Sequence, residues 1–265
     1  MTAFDVAAQS FRFYGRVFNK VFWISLGSNL APLLLGGSIA GAGMMTQQMD
    51  VSVAGLLIAM LVGFFFYTLQ LVFIHQFSEE QDDSLTAALP KALKKMGPMI
   101  LVSFAIGVFC FLVAIPIAIV AGLIFPNEMG SGEAHGAALL LMLFIAVPIL
   151  FIIYRLVFAA YHVVLKDAGP IEGMKLSSEQ VKSSSIVLRG LLLMMAMLVA
   201  WAIFSGIISS MIALPQAATQ FVLFVANVLI TPYFGIFIYR LFCVTLLDNS
   251  KPAIPDQNSG DDNGE

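Results

Sequence analysis

Six long runs of apolar residues constrain this chain more than any other feature of its sequence. A helix needs about 20 residues, at 1.5 Å each, to cross the ~30 Å hydrocarbon core of a bilayer. Composition agrees, because 60% of the residues are hydrophobic and 11% are charged, against about 45–50% and about 25% in soluble domains. We therefore predict an all-α polytopic membrane protein with six transmembrane helices, over residues 21–45, 52–77, 99–125, 137–165, 191–214 and 221–247.

Lysine and arginine lie beside one set of helix ends only. Ten of the 13 flank the runs in the N-terminal segment and in the second and fourth connections, and the opposite connections hold none. Because cytoplasmic flanks retain positive charge, both termini are predicted to be cytoplasmic, in a bacterial inner (plasma) membrane. The predicted interfacial basic anchors are Arg12, Arg16, Lys91, Lys94, Lys95, Lys182 and Arg189.

The ends of the even-numbered runs resemble one another. Tyr154-Arg155-Leu156 and Tyr239-Arg240-Leu241 are 85 residues apart, and Gln70 lies another 85 residues upstream. This spacing predicts a transmembrane domain, residues 1–248, of three parallel two-helix repeats at about 1–80, 81–168 and 169–248. Residues 249–265 are acidic and almost without apolar side chains, so they are predicted to be a disordered cytoplasmic tail.

Each predicted repeat begins with an amphipathic segment. A helical spacing of apolar residues indicates either interfacial helices or irregular cytoplasmic connectors, since Pro90 would break or kink a helix. The predicted apolar faces are Phe4, Ala7, Ala8, Phe11 and Phe18 in the first, Leu85, Ala88, Leu89, Ala92, Leu93 and Met96 in the second, and Ile171, Met174 and Val181 in the third.

Arg155 and Arg240 are the exceptions among the charged residues, since each lies within an apolar run near its cytoplasmic end. One interpretation is that both reach the headgroup layer or pair with an acid such as Asp83 or Glu172. The other is that they bind a lipid phosphate, for which a guanidinium is well suited. No acid lies within a run, which disfavours an ion-coupled transporter.

No motif for catalysis or metal binding is present in the sequence. We predict no catalytic residue, no metal site, no cofactor and no enzymatic activity. The absence of a basic block also argues against a nucleic-acid partner. The histidines are predicted to be interfacial or loop residues, and the serines of the fourth connection a polar cytoplasmic face; these are His75, His135 and His162, and Ser177, Ser178, Ser183, Ser184 and Ser185.

One segment carries a resemblance to a known family. Val163-Val164-Leu165-Lys166-Asp167, then Gly169-Pro170 and a serine-rich helix, resembles the YciC-like family of bacterial inner-membrane proteins. It is similar, more distantly, to the membrane domain attached to glycerophosphodiester phosphodiesterases. The resemblance implies six helices and an inner-membrane location, and it implies no particular activity.

Together these patterns favour a non-enzymatic inner-membrane protein concerned with envelope or membrane-lipid homeostasis. Its expected partners are membrane lipids or an unidentified membrane protein. The alternative is a transporter or channel for a lipid or a small uncharged solute.

Overall fold

The structure, a computed structural model, describes residues 2–36, 53–79, 84–124, 135–211 and 216–249. These residues are almost entirely helical, as predicted. They form α1 (Ala3–Gly36), α2 (Val53–Glu79), α3 (Leu85–Ile124), α4 (His135–Leu156), α5 (Ala159–Leu165), α6 (Pro170–Ser183), α7 (Ser185–Met211) and α8 (Gln216–Asn249).

Five segments of the described chain are long and apolar enough to cross a membrane: Leu57–Glu79, Leu85–Ile117, Phe144–Leu165, Ser185–Ile208 and Ala218–Leu247. The chain is therefore a multi-pass integral membrane protein. The first predicted span, 21–45, coincides with α1 as far as Gly36, and its remainder lies outside the described residues. The predicted tail lies outside them from residue 250 onward. The number of six spans stays a prediction.

The helices form a ring in chain order. Each packs against the next, α5 and α6 continue the ring from α4 to α7, and α8 returns to pack against α1. α2 also packs against α5 and α8, and it is the most buried of the candidate spans. Within the described ranges, α4 and α7 are not packed against each other. The ring is therefore least tightly closed between these two helices.

Burial is concentrated at one end of the bundle, which we call the packed end. It comprises α5 and α6 with the adjoining parts of α1 (3–25), α2 (68–79), α3 (85–102), α7 (185–190) and α8 (236–247). The opposite end, which we call the open end, includes residues 103–117, 144–153 and 191–208. None of these residues is buried. The residues of these stretches are exposed or partly buried, and some of the partly buried ones, such as Ala105 and Leu191, pack against the core.

The start of α1 packs against the protein with residues other than those of its apolar face, which is predicted to lie in the membrane interface. Val6, Phe13 and Val17 are buried, whereas Phe4 and Phe11 of the predicted face are 73% and 69% exposed. A lipid tail is as apolar as phenylalanine, so burial against protein brings such a large side chain little advantage. The helix begins at a capping box, in which the amide of Asp5 donates to Thr2 Oγ1 at 3.2 Å. The hydrogen bonds that Thr2 donates in return lower the pKa of the Asp5 carboxyl.

In the second amphipathic segment the prediction is confirmed in part. α3 continues through Pro90 without interruption and runs into the membrane span, so this segment is neither a connector nor a separate helix. Ala88 and Ala92 are fully buried, but Leu89 and Leu93 of the same predicted face are exposed. Here too the small residues face the protein.

The third amphipathic segment is a separate helix, α6. Met174 and Val181 of its predicted apolar face are buried against protein, whereas Ile171 is 83% exposed. The polar side chains of Ser177 and Gln180 complete the buried face. α6 packs against α3, α4, α5, α7 and α8, so it lies against protein along this face.

The spacing of 85 residues recurs in the pattern of burial. Val17, Val102 and Val187 share this spacing, and all three are buried. Ala88 and Gly173 share it as well, and both are buried. This recurrence favours the three predicted repeats, which stay a prediction.

The close approach of α6 to α5 generates a test. A Cβ at Gly173 would lie 2.6 Å from Val163 Cγ2 and 3.1 Å from the carbonyl oxygen of Ala159. Gly173→Ala is expected to lower the free energy of unfolding by about 1–3 kcal/mol, as overpacking does. The measurement is detergent-induced unfolding of the purified protein. Gly15→Ala is the control, since nothing lies within 4 Å of its Cβ position. An unchanged stability of Gly173→Ala would refute the contact.

Candidate functional site at the packed end

The guanidinium of Arg240 lies between α8 and α1. Its Cζ is 4.6 Å from the centre of the Phe13 ring, a cation–π contact. Its Nε is buried and has no hydrogen-bond partner among the described residues. No described carboxylate forms an ion pair with it, so the positive charge is compensated only by the ring.

Arg155 lies between α4 and α6. Its Nη1 donates to the carbonyl oxygen of Ser178 at 3.1 Å, and its Cζ is 5.5 Å from the Phe151 ring, one turn further into the span. Both contacts place the guanidinium at the junction of α4 and α6. The interpretation that it reaches the cytoplasmic headgroups stays a prediction. Glu172, proposed as a partner, forms no ion pair with it in the described structure; Asp83 lies outside the described residues.

The structure does not bring the two arginines together. Each lies where the second helix of one predicted repeat meets the N-terminal segment of the next, α4 with α6 and α8 with α1. The predicted basic anchors are largely at the surface of the packed end, as expected for residues that contact headgroups. Those that are exposed are Arg12, Arg16, Lys91, Lys94, Lys182 and Arg189.

Lys95 differs from the other predicted anchors, because only 16% of its side chain is exposed and it forms an ion pair with Asp167. Asp167 has a φ of 58°, and the amide of Ala168 donates to the carbonyl of His162 at 3.2 Å. Aspartate tolerates this left-handed conformation better than most residues. The Lys-Asp-x-Gly-Pro element is thus the turn between α5 and α6, with Pro170 as the first residue of α6.

Ser177 joins α6 to the break between α4 and α5. Its hydroxyl donates to the carbonyl of Arg155 at 2.9 Å and accepts from the amide of Phe158 at 3.1 Å. The side chain is fully buried. The prediction that Ser177 lies on a polar cytoplasmic face is therefore wrong, and Ser184, which is 5% exposed, departs from it too.

Gln180 connects three helices of the packed end. Its Oε1 lies 2.7 Å from His162 Nε2 on α5, and its Nε2 donates to the carbonyl of Phe242 and to the hydroxyl of Thr245 on α8. Sequence reasoning missed Gln180 and Thr245. A usable signal existed, since a polar side chain facing lipid or apolar protein requires an internal partner.

The histidines occupy three different settings. His162 is 5% exposed within α5, so the prediction of an interfacial or loop position is wrong for it. His75 lies 3.2 Å from the hydroxyl of Tyr239, and His135 is the first residue of α4. The described residues contain no group of three or more possible metal ligands.

The hydroxyl of Ser177 can be tested directly. Ser177→Ala would leave the Arg155 carbonyl and the Phe158 amide without this partner, so we expect a loss of about 1–3 kcal/mol in unfolding free energy. Faster proteolysis at the break between α4 and α5 should accompany it. Ser178→Ala is the matched control, because only its backbone carbonyl contacts Arg155. Equal stability of the two variants would show that the hydroxyl does not hold α6 in place.

Comparison with known proteins identifies the family to which this chain belongs. No curated protein matches the chain significantly, and neither does any solved structure. One family model matches residues 84–244, which include α3 to α7, most of α8, and Arg155 and Arg240. Because this match covers more than half of the chain, the protein belongs to the family described as a domain of unknown function, DUF7847.

Proposed function

We propose that this protein is a non-enzymatic inner-membrane protein that binds anionic phospholipid at its packed end and acts in envelope or membrane-lipid homeostasis. The main support for this proposal is that the buried Nε of Arg240 has no hydrogen-bond partner among the residues described. The resemblance to the YciC-like family supports the proposed location.

An unpaired charge in a low-dielectric setting is costly, so Arg240 favours an anion from outside the chain. The contact with Phe13 leaves the N–H groups of the guanidinium unused. A phosphate can accept two of them in parallel, which is the geometry that arginine suits best. At the end of a membrane span the phosphate most abundant nearby is that of a lipid headgroup.

Arg155 supports the same chemistry at the junction of α4 and α6. One N–H is engaged by the Ser178 carbonyl, and the others have no described acceptor. That single hydrogen bond orients the guanidinium of Arg155 without neutralising its charge. The exposed basic residues around the packed end would attract anionic headgroups to both junctions.

The lipid assignment predicts the outcome of a double substitution. The change of Arg155→Gln with Arg240→Gln should reduce co-purified anionic phospholipid roughly tenfold or more, since each charge-assisted contact contributes about 1.5–3 kcal/mol. Native mass spectrometry of the purified protein measures the bound lipid. Arg12→Gln with Arg16→Gln removes the same charge from exposed positions and should have a much smaller effect. Unchanged anionic lipid in the Arg155 and Arg240 variant would exclude these sites.

The proposed orientation places both termini and the packed end in the cytoplasm. It is supported by the ten flanking basic residues, which lie in the first halves of α1 and α3 and around α6. A shared location at one end of the bundle is what the positive-inside rule requires.

Reporter fusions test this orientation. A fluorescent protein fused after Glu265 should fluoresce, because it folds in the cytoplasm, and a periplasm-dependent phosphatase fused there should be inactive. The same phosphatase inserted after Gly130, between the third and fourth predicted spans, should be active. An active phosphatase fused after Glu265 would show that the true topology is the reverse of the proposed one.

A further inference from the structure

A gap separates α4 from α7 on the side of the open end. α6 packs against both helices and continues directly into α7, which begins at Ser185. In the part of the chain that the structure describes, α4 and α7 are not packed against each other, and neither 144–153 nor 191–208 includes a buried residue. α6 is therefore the floor of this gap.

A stripe of residues on α4 runs from this floor toward the open end. Phe144, Val147, Phe151 and Arg155 recur at intervals of three and four residues, so they lie on one side of the helix. The three apolar residues are each more than half exposed. The guanidinium of Arg155 is held on α6 by the Ser178 carbonyl and lies 5.5 Å from the Phe151 ring. The stripe thus has a charged end at the floor and an apolar length above it.

α7 leaves an apolar stripe exposed as well. It packs against α1, α6 and α8. Exposed apolar residues at a helical spacing remain on it: Leu192, Met195, Val199 and Ile203. A wall of this kind offers an acyl chain dispersion contacts along its length.

The length of the α4 stripe matches that of one acyl chain. Arg155 lies eleven residues from Phe144, or about 16 Å at 1.5 Å per residue. The chains of one leaflet fill half of a ~30 Å hydrocarbon core, or about 15 Å. An inorganic phosphate on Arg155 would leave the stripe uncovered, whereas a phospholipid places a chain beside all of it.

We propose that the phospholipid at Arg155 places one acyl chain in the gap between α4 and α7, and so links two helices that do not pack against each other. This inference rests on the proposed binding of phospholipid at Arg155 and adds the place of the chain. Arg240 takes no part in it, because that residue lies between α8 and α1.

Two photoreactive phosphatidylglycerols test the inference on the full chain in phosphatidylcholine nanodiscs. The chain probe carries its photoreactive group midway along an acyl chain, and the headgroup probe carries it on the glycerol. The chain probe should label 144–151 and 192–203 together, in preference to the exposed residues of α3. Arg155→Gln should reduce this labelling about tenfold, as expected for loss of a charge-assisted contact. Arg240→Gln should leave it unchanged.

A second variant tests the place of the chain without altering the arginine. Val147→Trp puts a large ring into the gap from an exposed position. The chain probe should then no longer label α7, while labelling by the headgroup probe persists. Val222→Trp, the same change at an exposed position of α8, should label like the native protein. Should Arg155→Gln fail to fold, this pair of variants carries the test alone.

Two results would overturn the inference and leave phospholipid binding at Arg155 standing. One is equal chain labelling of α7 in the native protein and Val147→Trp; the other is chain labelling spread evenly over the exposed residues of α3, α4, α7 and α8. Unchanged labelling by the headgroup probe in Arg155→Gln would instead refute phospholipid binding at Arg155, and this inference with it. The two failures are therefore distinguishable.

Discussion

The break between α4 and α5 is the constraint on which the packed end depends. It removes the carbonyl of Arg155 and the amide of Phe158 from regular helical pairing, and both then bond to Ser177. In a bilayer no bulk water can serve instead, so α6 must dock at this place. Docking brings Gln180 within reach of His162 and α8, and it brings the Ser178 carbonyl to Arg155. Close packing at Gly173 then leaves little freedom in how α6 sits.

The helical class, five of the spans and the gathering of basic residues at one end could be predicted from the sequence. These follow from run length and from where charge can exist near a bilayer, both of which are local properties. The inward faces could not be predicted in the same way. Phe4 and Leu93 face outward and Val6 and Ala92 face inward, because lipid accepts large side chains and close helix approach requires small ones. The rule for soluble proteins, in which large apolar side chains face the protein interior, predicts the opposite faces.

The candidate site was predictable only as far as single residues. Arg155 and Arg240 stand out as charges in apolar runs, but their neighbours, Ser178 and Phe13, come from helices distant in sequence. Ser177 illustrates the same limit. Its surroundings in sequence are polar and charged, which is typical of a cytoplasmic face, and only its contact with the helix break explains its burial. Local pattern cannot supply this information, because it depends on which helices meet.

The predicted repeats relate the two arginines proposed to bind phospholipid to an uncharged residue at the corresponding position. Gln70, Arg155 and Arg240 share one position at spacings of 85 residues, yet only the first is neutral. α2 is the most buried of the candidate spans, and Gln70 approaches the backbone of Gly235 there. A guanidinium at that place would bring a charge into the middle of the bundle without a described acid to pair with it, at a large desolvation cost. The outer junctions can exchange such a charge for a headgroup phosphate. The same position of the predicted repeat can therefore carry a charge at the outer junctions and an uncharged amide between α2 and α8.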